Sequence, residues 1–213
     1  MPTIMSYLTA FGLAGGAGGK AFVPLLALGA FHYTEYFELT DKFLWIANPA
    51  VLVVMGALLI AEILVDSVPE LGEYADIVAY FPKFVAGFIA FAAATGSVDD
   101  SLVQLGTSGV LGGGTAASLH WFRNRIRSPF RLYVEDIHGG TAKIASISEA
   151  GASAAVATSA FLVPPLAIIL IGLIAIAAFF TARRLDARRL PCKRCGKEIR
   201  PGALKCPHCK ELQ

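Results

Sequence analysis

The chain has 213 residues, of which 55% are hydrophobic and 16% charged, with a formal net charge of +2 and a mean hydropathy of +0.62. Soluble domains carry about 25% charged residues, so the composition excludes an ordinary water-soluble globule and points to an integral membrane protein. The small net charge excludes no partner by itself; the placement of the charges is more informative.

Several apolar runs reach the length of about 18–20 residues that spans a bilayer as helix, and six candidate spans follow in chain order. The first, Tyr7–Phe31, contains "GLAGGAGGKAFVPLLALG", which puts Lys20 in the middle of uncharged residues. Lysine at that depth is costly and marks a functional hypothesis. The second span is Asn48–Val65, where Asn48 is placed to cap the helix and Pro49 to occupy its first position. The third is Asp76–Thr95, with Pro82 expected to kink it or mark its true start. The fourth, Leu102–Phe122, is rich in glycine, and the fifth is Thr141–Leu162. The sixth opens at Val163–Pro165 and runs to Phe180 without a polar residue in "LAIILIGLIAIAAFF". Only helices and closed barrels satisfy their backbones in lipid, and uninterrupted runs favour helices. No secretory leader is expected, because no Lys or Arg precedes the first run, which is too long and glycine-rich for one.

Arg123, Arg125, Arg127, Arg131 and Lys143 flank the loop between spans four and five, and Arg183, Arg184, Arg188 and Arg189 follow span six. Glu35, Glu38, Asp41, Asp99 and Asp100 lie in the loops after spans one and three, against Lys42 alone. The positive-inside rule then puts both termini in the cytoplasm. Tyr33, Tyr36, Phe37, Phe43 and Trp45 are expected as an outer aromatic belt, with Trp121 and Phe122 at the inner interface.

The expected organisation is a transmembrane helical domain over 1–182, a basic linker over 183–190 and a cytoplasmic module over 191–213. Cys192, Cys195, Cys206 and Cys209 in the last form CxxC-x10-CxxC. Two such knuckles place four thiolates around one ion, the arrangement of structural zinc. Two disulfides are the competing arrangement, but cytoplasmic thiols stay reduced. Without spare ligand positions the zinc is structural, and so short a segment needs it to fold. His208 between two ligands reads as a surface residue. Zinc ribbons usually serve as interaction modules, so a cytoplasmic protein partner is expected. Lys193, Arg194, Lys197, Arg200, Lys205 and Lys210 suit anionic lipid; nucleic acid is not expected, and a solvated basic face is the plain alternative.

Within the spans, Glu62, Asp66 and Glu149 are candidate partners of Lys20, with Glu62 as the expected one. Glu62 and Asp66 share a helix face. Either a structural ion pair or a water-accessible relay would follow. Asp66 also suits a helix end near Pro69, and Ser146-x-x-Glu149 also reads as a capping box. Glycine steps at Gly12/Gly16, Gly15/Gly19 and Gly109/Gly113 suggest close helix packing. Glycine-rich first and fourth spans and a glutamate in the second and fifth suggest an inverted 3+3 repeat, a transporter signature.

"GGKAFVPLLALG", "ANPAVLVVMGALLIAEILVDSVPE" and "DIVAYFPKFVAG" resemble an uncharacterised bacterial integral-membrane family, domain of unknown function DUF4126, over about residues 8–180. The resemblance rests on a small-residue opening with a basic residue before an "LPLL"-like run, and on Glu-x-x-x-Asp-x-x-Pro, matched by Glu62, Asp66 and Pro69. Ser67 stands where the family often has Lys, and Ala150 follows Glu149 where it tends to have an acidic pair. The resemblance implies a multi-pass fold in a bacterial inner membrane, a thinner ion-pair network here, and no activity.

The expected fold is an all-α polytopic membrane protein of about six transmembrane helices with a C-terminal zinc ribbon. The expected function is a small transporter or ion-conducting protein using Lys20, Glu62, Asp66 and Glu149; the alternative is a membrane-anchored interaction protein whose ribbon recruits a partner. Homo-oligomers suit either. An enzyme is not expected, since no nucleophile elbow, metal cluster or paired acid motif stands in the spans, and His120 and His138 are isolated.

Overall fold

A computed structural model describes residues 4–68, 72–96, 102–134, 141–186, 190–199, 206 and 208–212. The protein is mostly helical. The first span is two helices, α1 (Ile4–Gly19) and α2 (Phe22–Phe31), separated at Lys20–Ala21. Pro24 explains the break: it has no N–H for the Lys20 carbonyl four residues back, and its ring crowds that carbonyl. A 3-10 turn over Asp41–Ala47 leads into α3 (Pro49–Asp66), where the Asn48 side chain accepts the Ala50 N–H at 2.9 Å and caps the helix.

The third span is also broken, into α4 (Gly72–Val78) and α5 (Tyr80–Thr95). The gap, at Ala79, falls three residues before a proline, Pro82. α6 (Leu102–Ser108) passes through a π-helical segment, Gly109–Gly113, into α7 (Gly114–Val134). α8 (Thr141–Leu162) has the bounds expected for span five, and α9 (Pro164–Asp186) outruns the sixth by six residues. Since α8 starts at Thr141, Ser146 and Glu149 lie inside it and the capping-box alternative does not apply. Pro49–Asp66 and Ala75–Thr95 are long and apolar enough to cross a membrane.

The packing inverts that of a water-soluble core. Alanine dominates the buried apolar residues, with Ala10, Ala14, Ala17, Ala90, Ala116, Ala157 and Ala160 among them, whereas Val53, Ile60, Ile77, Phe81, Val110 and Ile169 are exposed. α1 sits centrally, touching α5, α7, α8 and α9. A side chain at Gly18 would strike the Ala116 carbonyl on α7, so glycine there sets how closely the two helices approach. Gly87 of α5 and Gly112 of the π segment each face the other's carbonyl in the same way. Small residues at such crossings allow van der Waals contact between backbones. Tyr33, Tyr36, Trp45 and Trp121 are exposed as an aromatic belt requires, but Phe43 is buried and belongs to the core.

A second, separate cluster is built on Cys192, Ile199 and Cys206. Its strands β1 (Leu190–Pro191) and β2 (Glu198–Ile199) pair antiparallel, Leu190 opposite Ile199. Pro69, Asp99, Asp100, His138, Arg188, Arg189, Arg200 and Lys205 lie outside the described residues, as do the side chains of Arg127 and Arg131.

Candidate functional site

The break between α1 and α2 organises the interior. Its Ala21 N–H donates to both carboxylate oxygens of Glu62, at 3.3 and 3.1 Å, and the Gly19 carbonyl accepts from Lys83 Nζ at 2.9 Å. Lys83 and Glu62 are themselves an ion pair at 3.7 Å. One opposite-charge pair from α5 and α3 therefore serves a donor and an acceptor of the interrupted backbone, groups that would be costly to leave unmet in an apolar interior.

Lys20 turns away from that pair. Its Nζ donates to Asp66 at 2.5 Å and to Ser146 Oγ at 2.9 Å. The expected Lys20–Glu62 pairing is thus corrected: the partner is Asp66, one helical turn along the same face of α3. The reason is local, since Glu62 is taken by the Ala21 N–H and Lys83. Lys20 and Lys83 are the two largest fully buried side chains among the described residues.

Four further residues complete the network. Lys83 Nζ lies 2.9 Å from His120 Nδ1, and His120 Nε2 lies 2.9 Å from the Asp76 carbonyl. A protonated lysine has only donors, which makes Nδ1 the acceptor and puts the imidazole proton on Nε2, facing the carbonyl. Arg123 Nη2 reaches Asp66 at 2.6 Å and Glu149 at 2.5 Å, its Nε reaches Glu149 at 3.0 Å, and its Nη1 lies 3.5 Å from Asp76. Arg123, expected to flank the loop after span four, is instead inside the fold because α7 continues to Val134.

The network so described holds three cations, Lys20, Lys83 and Arg123, against four carboxylates, Glu62, Asp66, Asp76 and Glu149. All four residues singled out in the spans belong to it. Lys83, Asp76, Arg123 and His120 were not singled out. A lysine in the apolar stretch "YFPKF" is the same signal as Lys20, and His120 and Arg123 lie three apart on one helical face.

Beside the network, α1, α7, α8 and α9 enclose an open-sided cavity of about 370 Å³. Leu119, Val156, Ile171 and Ile174 line it, with Arg123, Ser148, Glu149 and Ser153 as its polar contributors.

At the other end of the chain, the four cysteines converge. Cys192 and Cys209 sulfurs lie 3.6 Å apart, those of Cys195 and Cys206 3.7 Å, and all four fall within 4.8 Å of one another. None is in a disulfide. Tetrahedral coordination with metal–sulfur bonds of about 2.3 Å requires sulfurs about 3.8 Å apart, so the arrangement suits one ion. The knuckles repeat each other: Gly196 N–H donates to the Cys192 carbonyl at 3.0 Å, and Lys210 N–H to the Cys206 carbonyl at 2.8 Å. Both residues have left-handed backbones, φ 67° at Gly196 and 57° at Lys210. The Cys195 N–H, helped by that of Arg194, brings the Cys192 thiol down to about 6. Against the lowering pull of the Glu211 N–H, burial and the thiols of Cys206, Cys192 and Cys195 push Cys209 up to about 12. Four thiols this close do not ionise together without a cation between them.

A family model described as a domain of unknown function, DUF4126, matches residues 7–184. The chain belongs to that family. No curated protein and no solved structure matches it. The DUF4126 match takes in Lys20, Glu62, Asp66, Lys83, Arg123 and Glu149, and ends before the cysteine cluster.

Proposed function

We propose that this DUF4126 protein is a six-span membrane carrier or ion-conducting protein whose translocation site is the break at Lys20. The spans are α1–α2, α3, α4–α5, α6–α7, α8 and α9, forming a domain over 1–182 that a basic linker, 183–190, joins to a zinc ribbon over 191–213. Both termini face the cytoplasm, by the charge asymmetry of the loops. Exposed valines, isoleucines and phenylalanines over a small-residue interior support lipid as the solvent. Glycine-rich, discontinuous helices in each half support the inverted 3+3 arrangement.

The observation that carries the reading is the interrupted backbone served by Glu62 and Lys83. Non-helical backbone at membrane depth is tolerated where it is buried in protein or lines a water-filled cavity, and ionisable residues there mark ion and substrate paths. The test replaces Ala17 and Ala21 singly by cysteine in a variant lacking the four native cysteines, and labels intact membranes with a charged thiol reagent. Labelling at these positions is expected. If they stay silent while positions at the helix ends react, the break is sealed and the reading is wrong.

A second reading, a membrane-anchored interaction protein, is favoured by the ribbon, where Lys193, Arg194, Lys197 and Lys210 are exposed around the cysteine cluster. In that case deleting 191–213 abolishes function while the bundle stays intact.

A further inference from the structure

The cavity between α1, α7, α8 and α9 has a volume of about 370 Å³, near the lower end of the range of about 300–1,000 Å³ typical of small-molecule sites. Leu119 of α7, Val156 of α8 and Ile171 and Ile174 of α9 make its wall largely apolar. The exposed side chains of Ile174 and Ala152 stand at its margin, so it opens on the outer surface of the helical bundle. Apolar cavities exclude water and accept apolar ligands.

Two residues of the lining are not explained by helix packing. The first is Gly16. α1 holds five glycines, and a side chain at Gly12, Gly15, Gly18 or Gly19 would strike a neighbour. At Gly16 a Cβ would come no nearer than 3.5 Å to a neighbouring element, at the Ser153 carbonyl oxygen, and would otherwise project into the cavity. The second is Ser153 of α8, which is 5% exposed and lines the same space. Its hydroxyl lies against Gly19, where a side chain would displace it. Ser148 and Ser159 of the same helix satisfy their hydroxyls on the carbonyls of Ala145 and Val156, each at 2.8 Å. Among the described residues the Ser153 hydroxyl finds no such partner. A hydroxyl is both donor and acceptor, and leaving it unmet in an apolar interior is costly.

The charges in the lining point to the nature of the missing partner. Arg123 and Glu149 are held to each other at 2.5 and 3.0 Å, so neither calls for a counter-ion. A charged headgroup would have to break that pair beside an apolar wall, whereas a neutral hydroxyl or carbonyl can meet Ser153 without disturbing it.

We propose that this cavity binds a neutral single-chain amphiphile drawn from the bilayer, its hydroxyl or carbonyl hydrogen-bonded to Ser153 and its hydrocarbon chain lying over Gly16 against Leu119, Val156, Ile171 and Ile174. This deepens the carrier reading by naming a substrate class, and it rests on that reading for the step of transport only.

The test uses one chain with four heads. A long-chain alcohol carrying a diazirine on its chain is photolysed with the full-length protein in lipid nanodiscs, and the labelled peptides are identified by mass spectrometry. Unlabelled dodecanol, dodecane, dodecylammonium and dodecanoate compete. Saturable labelling of α8 and α9 is expected, with dodecanol competing about fivefold or more better than the other three. Ser153→Ala should weaken dodecanol about fivefold, as the loss of one hydrogen bond implies, and leave dodecane unchanged. Gly16→Leu, which fills the cavity from α1, should abolish labelling while the thermal unfolding profile is retained. Labelling that does not saturate, equal competition by dodecane or by either ion, undiminished dodecanol competition in Ser153→Ala, or full labelling of Gly16→Leu overturns the proposal. If Gly16→Leu fails to fold, Ser153→Ala and the competitors decide it. Binding does not require water at Lys20. Alcohol binding with a sealed break would refute the carrier and keep the site; a labelled break without binding would do the reverse.

Discussion

At the scale of single residues, the interior is governed by which charge meets which. Lys20 is fully buried and reaches Asp66, which Arg123 also holds. Removing one partner of a buried pair leaves an uncompensated charge and costs about 3–5 kcal/mol. Lys20→Met should therefore lower the unfolding temperature in detergent strongly, and a double-mutant cycle with Asp66→Asn should show coupling of about 1 kcal/mol or more. The same cycle with Glu62→Gln should show less, because Glu62 is engaged with the Ala21 N–H and Lys83. Equal coupling in the two cycles would contradict the pairing seen. Lys20, Glu62, Asp66 and Glu149 are legible in the sequence because a charge inside an apolar run stands out alone. Their pairing is not legible. Glu62 and Asp66 share a face, and only the turn of the chain at Lys20 decides between them.

At the scale of elements, prolines and glycines account for the departures from continuous spans. α1–α2 and α4–α5 each part three to four residues before a proline, and the glycine-rich fourth span relaxes into a π segment. Pro82 is readable as a break in advance. Pro24 is equally placed, yet an apolar run through it conceals the interruption, because hydropathy is blind to a missing N–H. Arg123 is hidden for a related reason: charges near a span end are counted as loop, and α7 carries it into the interior instead. The cysteine module is the most legible element, since ligand spacing alone brings the thiols together. It buries only a few apolar side chains, too few for a segment this short to fold without a metal. Metal chelation should unfold 191–213, seen as newly protease-sensitive bonds around Cys195 and Cys209, while the helical part melts unchanged. A ribbon that stays protected in chelator would argue against a structural metal.

At the scale of the whole molecule, charge is sorted along the chain. Residues 183–213 hold ten basic and three acidic side chains, a net +7, and the remainder holds eight against thirteen, a net −5. This division falls in the last turn of α9, where the apolar run ends, so it is read from sequence without difficulty. What sequence does not reveal is that α1 lies at the centre with neighbours on every side, because centrality depends on contacts far apart along the chain.

That central position has a consequence for how the protein is made. α1 is made before these neighbours, yet the residues that neutralise Lys20 and meet the glycines of α1 come from α3, α7, α8 and α9. A lysine in the middle of an apolar span opposes insertion by about 2.5–3.5 kcal/mol, and glycine adds little to recover it. The leading segment should therefore be retained poorly by the insertion machinery until later segments arrive. Chains truncated after Phe31 should fail to anchor in microsomal glycosylation mapping, and chains extended through Leu162 should anchor with α1 in place. Assembly would then run from the periphery inward, with the oldest segment the last to settle.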